Sequence, residues 1–419
     1  MKRLLCAVGI SLLMLTVTAQ TDELLSTKPD PTQQLLDMLS AIPVLGDNGP
    51  ILFFNDYRAL ERSGDVDFEG NPRYSRFVGH LFFFLPFFDD AIGPAINGFS
   101  VYDVDYTVEA SGGFFVYAGD FDPAAITDTV AAPPVDYRET VGMYAPVEID
   151  GVRVWCPDAD CEAAGTYRTS EERLGNLLDP LGVGAQPALR VDDNQLTLIN
   201  EVDHLDTLIE MANGNHPALA DQPHINALAH GLNDADAFDG ALIQAFVIDG
   251  DAVRFPFDPD DPTVYEDLLY INPDEPQVFA DTFMTDYGRL PRFDLLGMAE
   301  GYPTDDFTQQ SIVIALTYTN AEDAEHAANE LAVRFNGYVP YGGKGDIRYD
   351  LQDTFALEVI RTGVIEFDGV YVAQAVLYYA LPEIDETAVS LSTWPGYLYN
   401  RWVWAIGARE FYQLWDLIE

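Results

Sequence analysis

The stretch VEIDGVRVW at residues 147–155 returns, barely altered, as IEFDGVYVA at residues 365–373. In both, an Asp-Gly pair separates residues that alternate apolar and polar, the pattern of two antiparallel strands joined by a two-residue turn. A strand at 113–121 and a helix at 122–132 are predicted before the first copy, and a strand at 310–319 and a helix at 321–335 before the second. After the first copy, strands at 187–192 and 195–200 and a helix at 201–212 are expected. After the second come a strand at 400–407 and a helix at 408–419. The order β-α-β-β-(β)-β-α therefore occurs twice. The expected fold class is α+β: two duplicated modules of mostly antiparallel sheet, each with helices packed on one face. The first module, with an N-terminal extension, takes residues 20–249. Its extension holds a predicted helix at 32–42 and a strand at 51–56, and a buried strand is expected at 241–249. A Pro- and Asp-rich connector spans 250–277, and the second module spans 278–419.

The first residues bear on the compartment. Lys2 and Arg3 precede an apolar run from 4 to 17, and small residues at 17–19 lead to Gln20. This predicts a cleaved secretory signal peptide over 1–19, with an apolar run too short to cross a membrane comfortably. HLFFFLPFF at 80–88 is also short and ends at Asp89 and Asp90, so it reads as core or as a partner-facing patch. The expectation is a secreted protein, extracellular or associated with the cell surface, and not an integral membrane protein. The 69 acidic residues outnumber the 21 Lys and Arg, giving a formal net charge of −48. Such a surface repels nucleic acid and anionic lipid and favours cations, basic partners or a salty medium. No nucleic-acid partner is expected. Aromatic residues make up 12% of the chain, which separates it from disordered acidic tails and supplies material for a core.

Chemistry-bearing motifs are few. Cys156 and Cys161, in CPDADC, suit neither a zinc site nor a redox pair, and in an oxidising compartment they predict a local disulfide. No Gly-x-Ser-x-Gly elbow occurs, and YGGKGD at 341–346 lacks the Ser or Thr a phosphate loop needs after Lys344. His204, His216, His224 and His230 crowd into 27 residues with Asp221 among them, but at no ligand spacing. His216 reads as a turn residue, His224 as a helix start and His204 as the outer face of its helix. Asp258, Asp260, Asp261, Glu266 and Asp267 offer clustered carboxylates of the kind calcium takes, although the EF-hand glycine is missing, and a solvated linker is the competing reading. Trp394, Trp402, Trp404 and Trp415 gather near the C-terminus. Trp402 and Trp404 fall on one face of the predicted strand, where exposure would make a binding platform and burial would make them core. Burial is the favoured of the two.

Three longer stretches carry a resemblance. LLDMLSAIPVL with ILFFNDYRALE, then HPALADQPHINALAHGL, then LTYTNAEDAEHAANELAVRF resemble a set of uncharacterised exported prokaryotic proteins. The resemblance implies export and brings no functional residues with it. The expected function is a secreted, acidic binding or structural protein of the cell exterior rather than an enzyme. Its partner would be a protein, a glycan or a small molecule. No cofactor is expected, calcium excepted. The alternative is an exported hydrolase using Asp and Glu carboxylates in the cleft between modules, around residues 216–239.

Overall fold

The computed structural model describes residues 31–46, 50–59, 93–137, 142–159, 161–164, 178, 186–239, 241–253, 290–304, 309–336, 357–380 and 396–407. These residues build one twelve-stranded sheet. In chain order its strands are β1 (Ile51–Asp56), β2 (Val104–Ala110), β3 (Phe114–Gly119), β4 (Ala145–Ile149), β5 (Val152–Cys156) and β6 (Ala188–Val191). They continue with β7 (Gln195–Ile199), β8 (Ala241–Asp249), β9 (Leu295–Tyr302), β10 (Gln309–Tyr318), β11 (Glu358–Phe367) and β12 (Val370–Ala380). Across the sheet they lie in the order β11-β12-β10-β9-β8-β1-β2-β3-β7-β6-β5-β4. Every pairing is antiparallel. The coarse expectation of helices with a large antiparallel sheet is met.

Near the centre of the sheet β1 pairs with β8, with Phe53 opposite Phe246 and Asn55 opposite Gln244. Strand β8 also pairs with β9, so the sheet runs unbroken from the elements before residue 249 to those after residue 290. Both Asp-Gly repeats form the tight turns expected of them. Asp150 and Gly151 (φ 49° and 84°) close β4–β5, and Asp368 and Gly369 (φ 49° and 82°) close β11–β12. Positive φ at both central residues is the type I′ signature.

Six helices of eight or more residues are described: α1 (Pro31–Leu39), α2 (Pro123–Ala131), α3 (Leu205–Ala212), α4 (Pro223–Leu232), α5 (Ala321–Asn336) and α6 (Tyr397–Gly407). The α2 cap is local chemistry: the Asp122 carboxylate accepts from the Ala124 and Ala125 N–H groups at 3.0 and 3.3 Å, and Pro123 occupies the first helical position.

The helices cover both faces, which corrects the expectation of one. On β3, Phe114 and Val116 pack with Leu35 of α1, Leu208 of α3 and Leu228 of α4. The alternate residues Phe115 and Tyr117 pack instead with Ile126 and Val130 of α2. On β10, Val313 and Ala315 share the first face, while Ile312 and Ile314 lie under Leu331 of α5 and Trp402 of α6. The sheet is thus the middle of three layers, because its central strands are apolar on both sides. All eight residues of β9 are buried.

A second correction concerns 400–407, expected as a strand and found as part of α6. Leu398, Trp402 and Ile406 recur every fourth residue and are all buried, as are Tyr399 and Val403. That is one helical face, and the spacing of two between the tryptophans concealed it. Trp402, 1% exposed, belongs to the core. Trp394 and the Trp404 side chain lie outside the described residues, as do 60–92, 254–289 and 408–419.

Substituting Gly369 by Ala should destabilise the protein by about 1 kcal/mol, since an L side chain is strained at its φ although nothing lies within 4 Å of the new Cβ. Gly363→Ala, equally uncrowded but without positive φ, should be neutral or stabilising. Urea denaturation of the two variants checks the contrast.

Candidate functional site

At one end of the sheet the strand ends leave a groove. Its near wall is where β1 begins, β2 ends, β8 ends and β9 begins. Backbone bonds hold those ends together: Ser111 N–H donates to the Ile51 carbonyl at 2.8 Å, Asp249 N–H to Pro50 at 3.1 Å and Gly250 N–H to Asp294 at 2.8 Å. The Ser111 hydroxyl accepts from the Ile51 N–H at 3.2 Å. The chain turns between β2 and β3 through Gly112 (φ +83°), where a Cβ would stand 2.1 Å from Leu45 Cδ1. The positive φ favours glycine at that turn, and any side chain there would also displace Leu45.

The far wall is the loop after α1 and the start of α4. Val44 N–H donates to the Pro217 carbonyl at 3.1 Å, Leu219 N–H to Ile42 at 2.8 Å, and His216 Nε2 lies 2.7 Å from the Val44 carbonyl. Pro223 opens α4, which places Gln222 and His224 at the mouth. The resulting cavity is about 260 Å³. Ile42, Leu219, Ile225 and Leu295 give it apolar walls, and Ser111, Gln222, His224, Asp249 and Asp294 supply its polar groups. A second hollow shares Leu45, Gly46, Ser111 and Asp249 with the first, so the two lie side by side.

Two of the four clustered histidines reach this groove, and a third fastens its wall. His224 Nδ1 is 3.4 Å from Asp294 Oδ2 and 3.4 Å from Thr317 Oγ1. Thr317 is itself fixed, its hydroxyl accepting from the Leu295 N–H at 3.0 Å. In the second hollow, His204 Nδ1 lies 2.9 Å from the Gly112 carbonyl and 3.4 Å from Glu201 Oε2, and its ring stacks on Phe114. His230 lies elsewhere, stacked on Phe367 at 4.0 Å. Asp249 and Asp294 were not foreseen as site residues: 45 positions apart in the chain, they meet only because β8 ends beside the start of β9.

Cys156 and Cys161 are bonded, S–S 1.96 Å, and both are buried in the core under α1 and α3. Among the described residues no three His, Cys, Asp or Glu gather as a metal site. The candidate calcium ligands Asp258, Asp260, Asp261 and Asp267 lie outside those residues.

Away from the groove, a row of buried polar side chains crosses the middle of the sheet. Register places Thr107, Asn55, Gln244 and Glu300 side by side on β2, β1, β8 and β9. Asn55 Nδ2 donates to Thr107 Oγ1 at 3.1 Å and Gln244 Nε2 to Glu300 Oε2 at 2.7 Å. The Tyr379 hydroxyl donates to the other Glu300 oxygen. Burial, with Glu300 beside it, holds the Tyr379 hydroxyl well above the usual tyrosine range. A one-residue slip would break this row, which therefore pins the register.

No family model matches the chain, and neither the curated proteins nor the solved structures contain a significant match to it.

Burial pushes the Glu109 carboxyl, on β2, up to about 7. Between about 4.5 and 7 the folded state then holds a proton that the unfolded state has lost, so this group's contribution to stability falls as pH rises through that window. The effect is of order 3 kcal/mol. Glu109→Gln should remove the dependence, and the stability difference between variant and wild type, followed by urea denaturation from pH 4.5 to 8, should grow in the variant's favour.

Proposed function

We propose that the protein is an exported, acidic binding protein of the cell exterior, and that the groove at the ends of β1, β8 and β9 holds a small amphipathic ligand. The observation that carries this reading is the groove itself. It combines apolar walls with a few polar groups set by backbone hydrogen bonds, the make-up common to small-molecule sites. Its walls draw on elements from both sides of the β1–β8 pair. Export is supported by the leader-like residues 1–19 and by the Cys156–Cys161 bond, which oxidising compartments favour. No described helix is long and apolar enough to cross a membrane.

The two halves of the sheet derive, in this reading, from a duplication. Supporting it, each half sets a strand, a helix and a type I′ Asp-Gly hairpin in the same order: β3, α2 and β4–β5 in one, β10, α5 and β11–β12 in the other. The resemblance to exported prokaryotic proteins belongs to the same reading.

A second reading draws on His224. His224 lines a groove that also holds Asp249, with Nδ1 facing Asp294 and Thr317, and an imidazole beside carboxylates suits an exported hydrolase.

The test is the thermal midpoint of the purified protein against a panel of small amphipathic molecules. Binding should raise it with concentration. Gln222→Trp, which fills the mouth without removing a helix cap, should abolish the rise. No rise with any molecule, or an unchanged response in Gln222→Trp, would overturn the groove reading. Turnover of chromogenic esters that is lost in His224→Gln would move the assignment to the hydrolase.

A further inference from the structure

The groove's polar groups are lopsided in charge. Among the described residues no Lys or Arg lines either hollow, whereas Asp249, Asp294, Glu201 and Asp251 all do. Three of these carboxylates have a cationic or imidazole neighbour: Asp294 faces His224 at 3.4 Å, Glu201 faces His204 at 3.4 Å, and Asp251 faces Arg292 at 3.1 Å. Asp249 does not. It is half-buried, it lines both hollows, and Oδ1 accepts from the Asp251 N–H at 2.7 Å. Among the described residues no Lys, Arg or His side chain pairs with it.

Resting on the binding reading above, we infer that the groove takes a small organic cation, an ammonium head set against Asp249 with an apolar body on Ile42, Leu219, Ile225 and Leu295. An anionic ligand would meet like charge in a confined space. A neutral ligand would remove water from Asp249 and return no counter-charge, which costs free energy. A cation supplies both the charge and the hydrogen-bond donors. A bare metal ion would gain nothing from the four apolar side chains, whereas an alkyl or aryl chain is stabilised by burying itself there. The net charge of −48 works in the same direction, raising the local concentration of cations at the groove.

The experiment is calorimetric titration of the whole protein with hexylammonium chloride, 1-hexanol and sodium hexanoate at matched ionic strength. Hexylammonium should bind about fivefold or more tighter than hexanol, and hexanoate weakest. Asp249→Asn keeps an oxygen for the Asp251 N–H and removes only the charge. It should bring hexylammonium down to the hexanol level and leave hexanol unchanged. Glu322→Gln, an exposed charge at the start of α5, should change neither. If the three probes bind equally, if hexanoate binds tightest, or if Asp249→Asn binds hexylammonium as wild type does, the cation assignment is overturned while the binding reading stands. If the folded protein binds none of the three, both fall.

Discussion

Everything described here depends on the antiparallel pairing of β1 with β8. It joins two runs of strands into one sheet, fixes the polar row of Thr107, Asn55, Gln244 and Glu300, and brings the end of β8 against the residue that opens β1. The register is held by two neighbouring pairs on one face. Phe53 and Phe246 pack with ring centroids 5.0 Å apart, and Asn55 and Gln244, two residues along each strand, carry the hydrogen-bonded row. A buried carboxyl such as Glu300 destabilises the folded state unless its donors are in place. Gln244 and Tyr379 provide them, from strands on either side of β9. Slippage would leave Glu300 without them, so the row makes alternative pairings more costly than the native one.

The groove is a consequence of that geometry. Its near wall is a set of strand ends, and its far wall is a loop and a helix start held by His216 and by backbone bonds from residues 217–219. Asp249 is positioned by β8, His224 by α4, and Asp294 by its backbone bonds to Gly250 and Thr317 just before β9. In the binding reading proposed above, the acidity of the chain acts here through Asp249, which pairs with no Lys, Arg or His side chain among the described residues.

Legibility in the sequence was uneven for physical reasons. The Asp-Gly hairpins were readable because a two-residue turn with positive φ admits few residue pairs. Helix α2 was readable from Asp122 and Pro123. Strands β2 and β9 were not. Asp105 and Glu109 make β2 look polar, and Gly297 and Glu300 interrupt β9, whose burial on both faces removes the alternation that marks a half-exposed strand. The same burial concealed the second helical layer. In 397–407 a helical repeat of four was masked by aromatic residues two apart. The site was the least legible. The histidine density was visible, but Asp249 and Asp294 are ordinary acidic residues in sequence, and Gly112 gains its meaning only from Leu45 across the groove.

The most direct measurement is native-state hydrogen exchange along the central strands. If β1 and β8 form the seam of one sheet, the amides at 52–55 and 244–248 should exchange as slowly as those of β10 and β12, opening only with global unfolding. Exchange orders of magnitude faster at 52–55 and 244–248 than in β10 and β12 would mean that the halves open independently at the seam. A groove whose walls come from both sides would then be no fixed site.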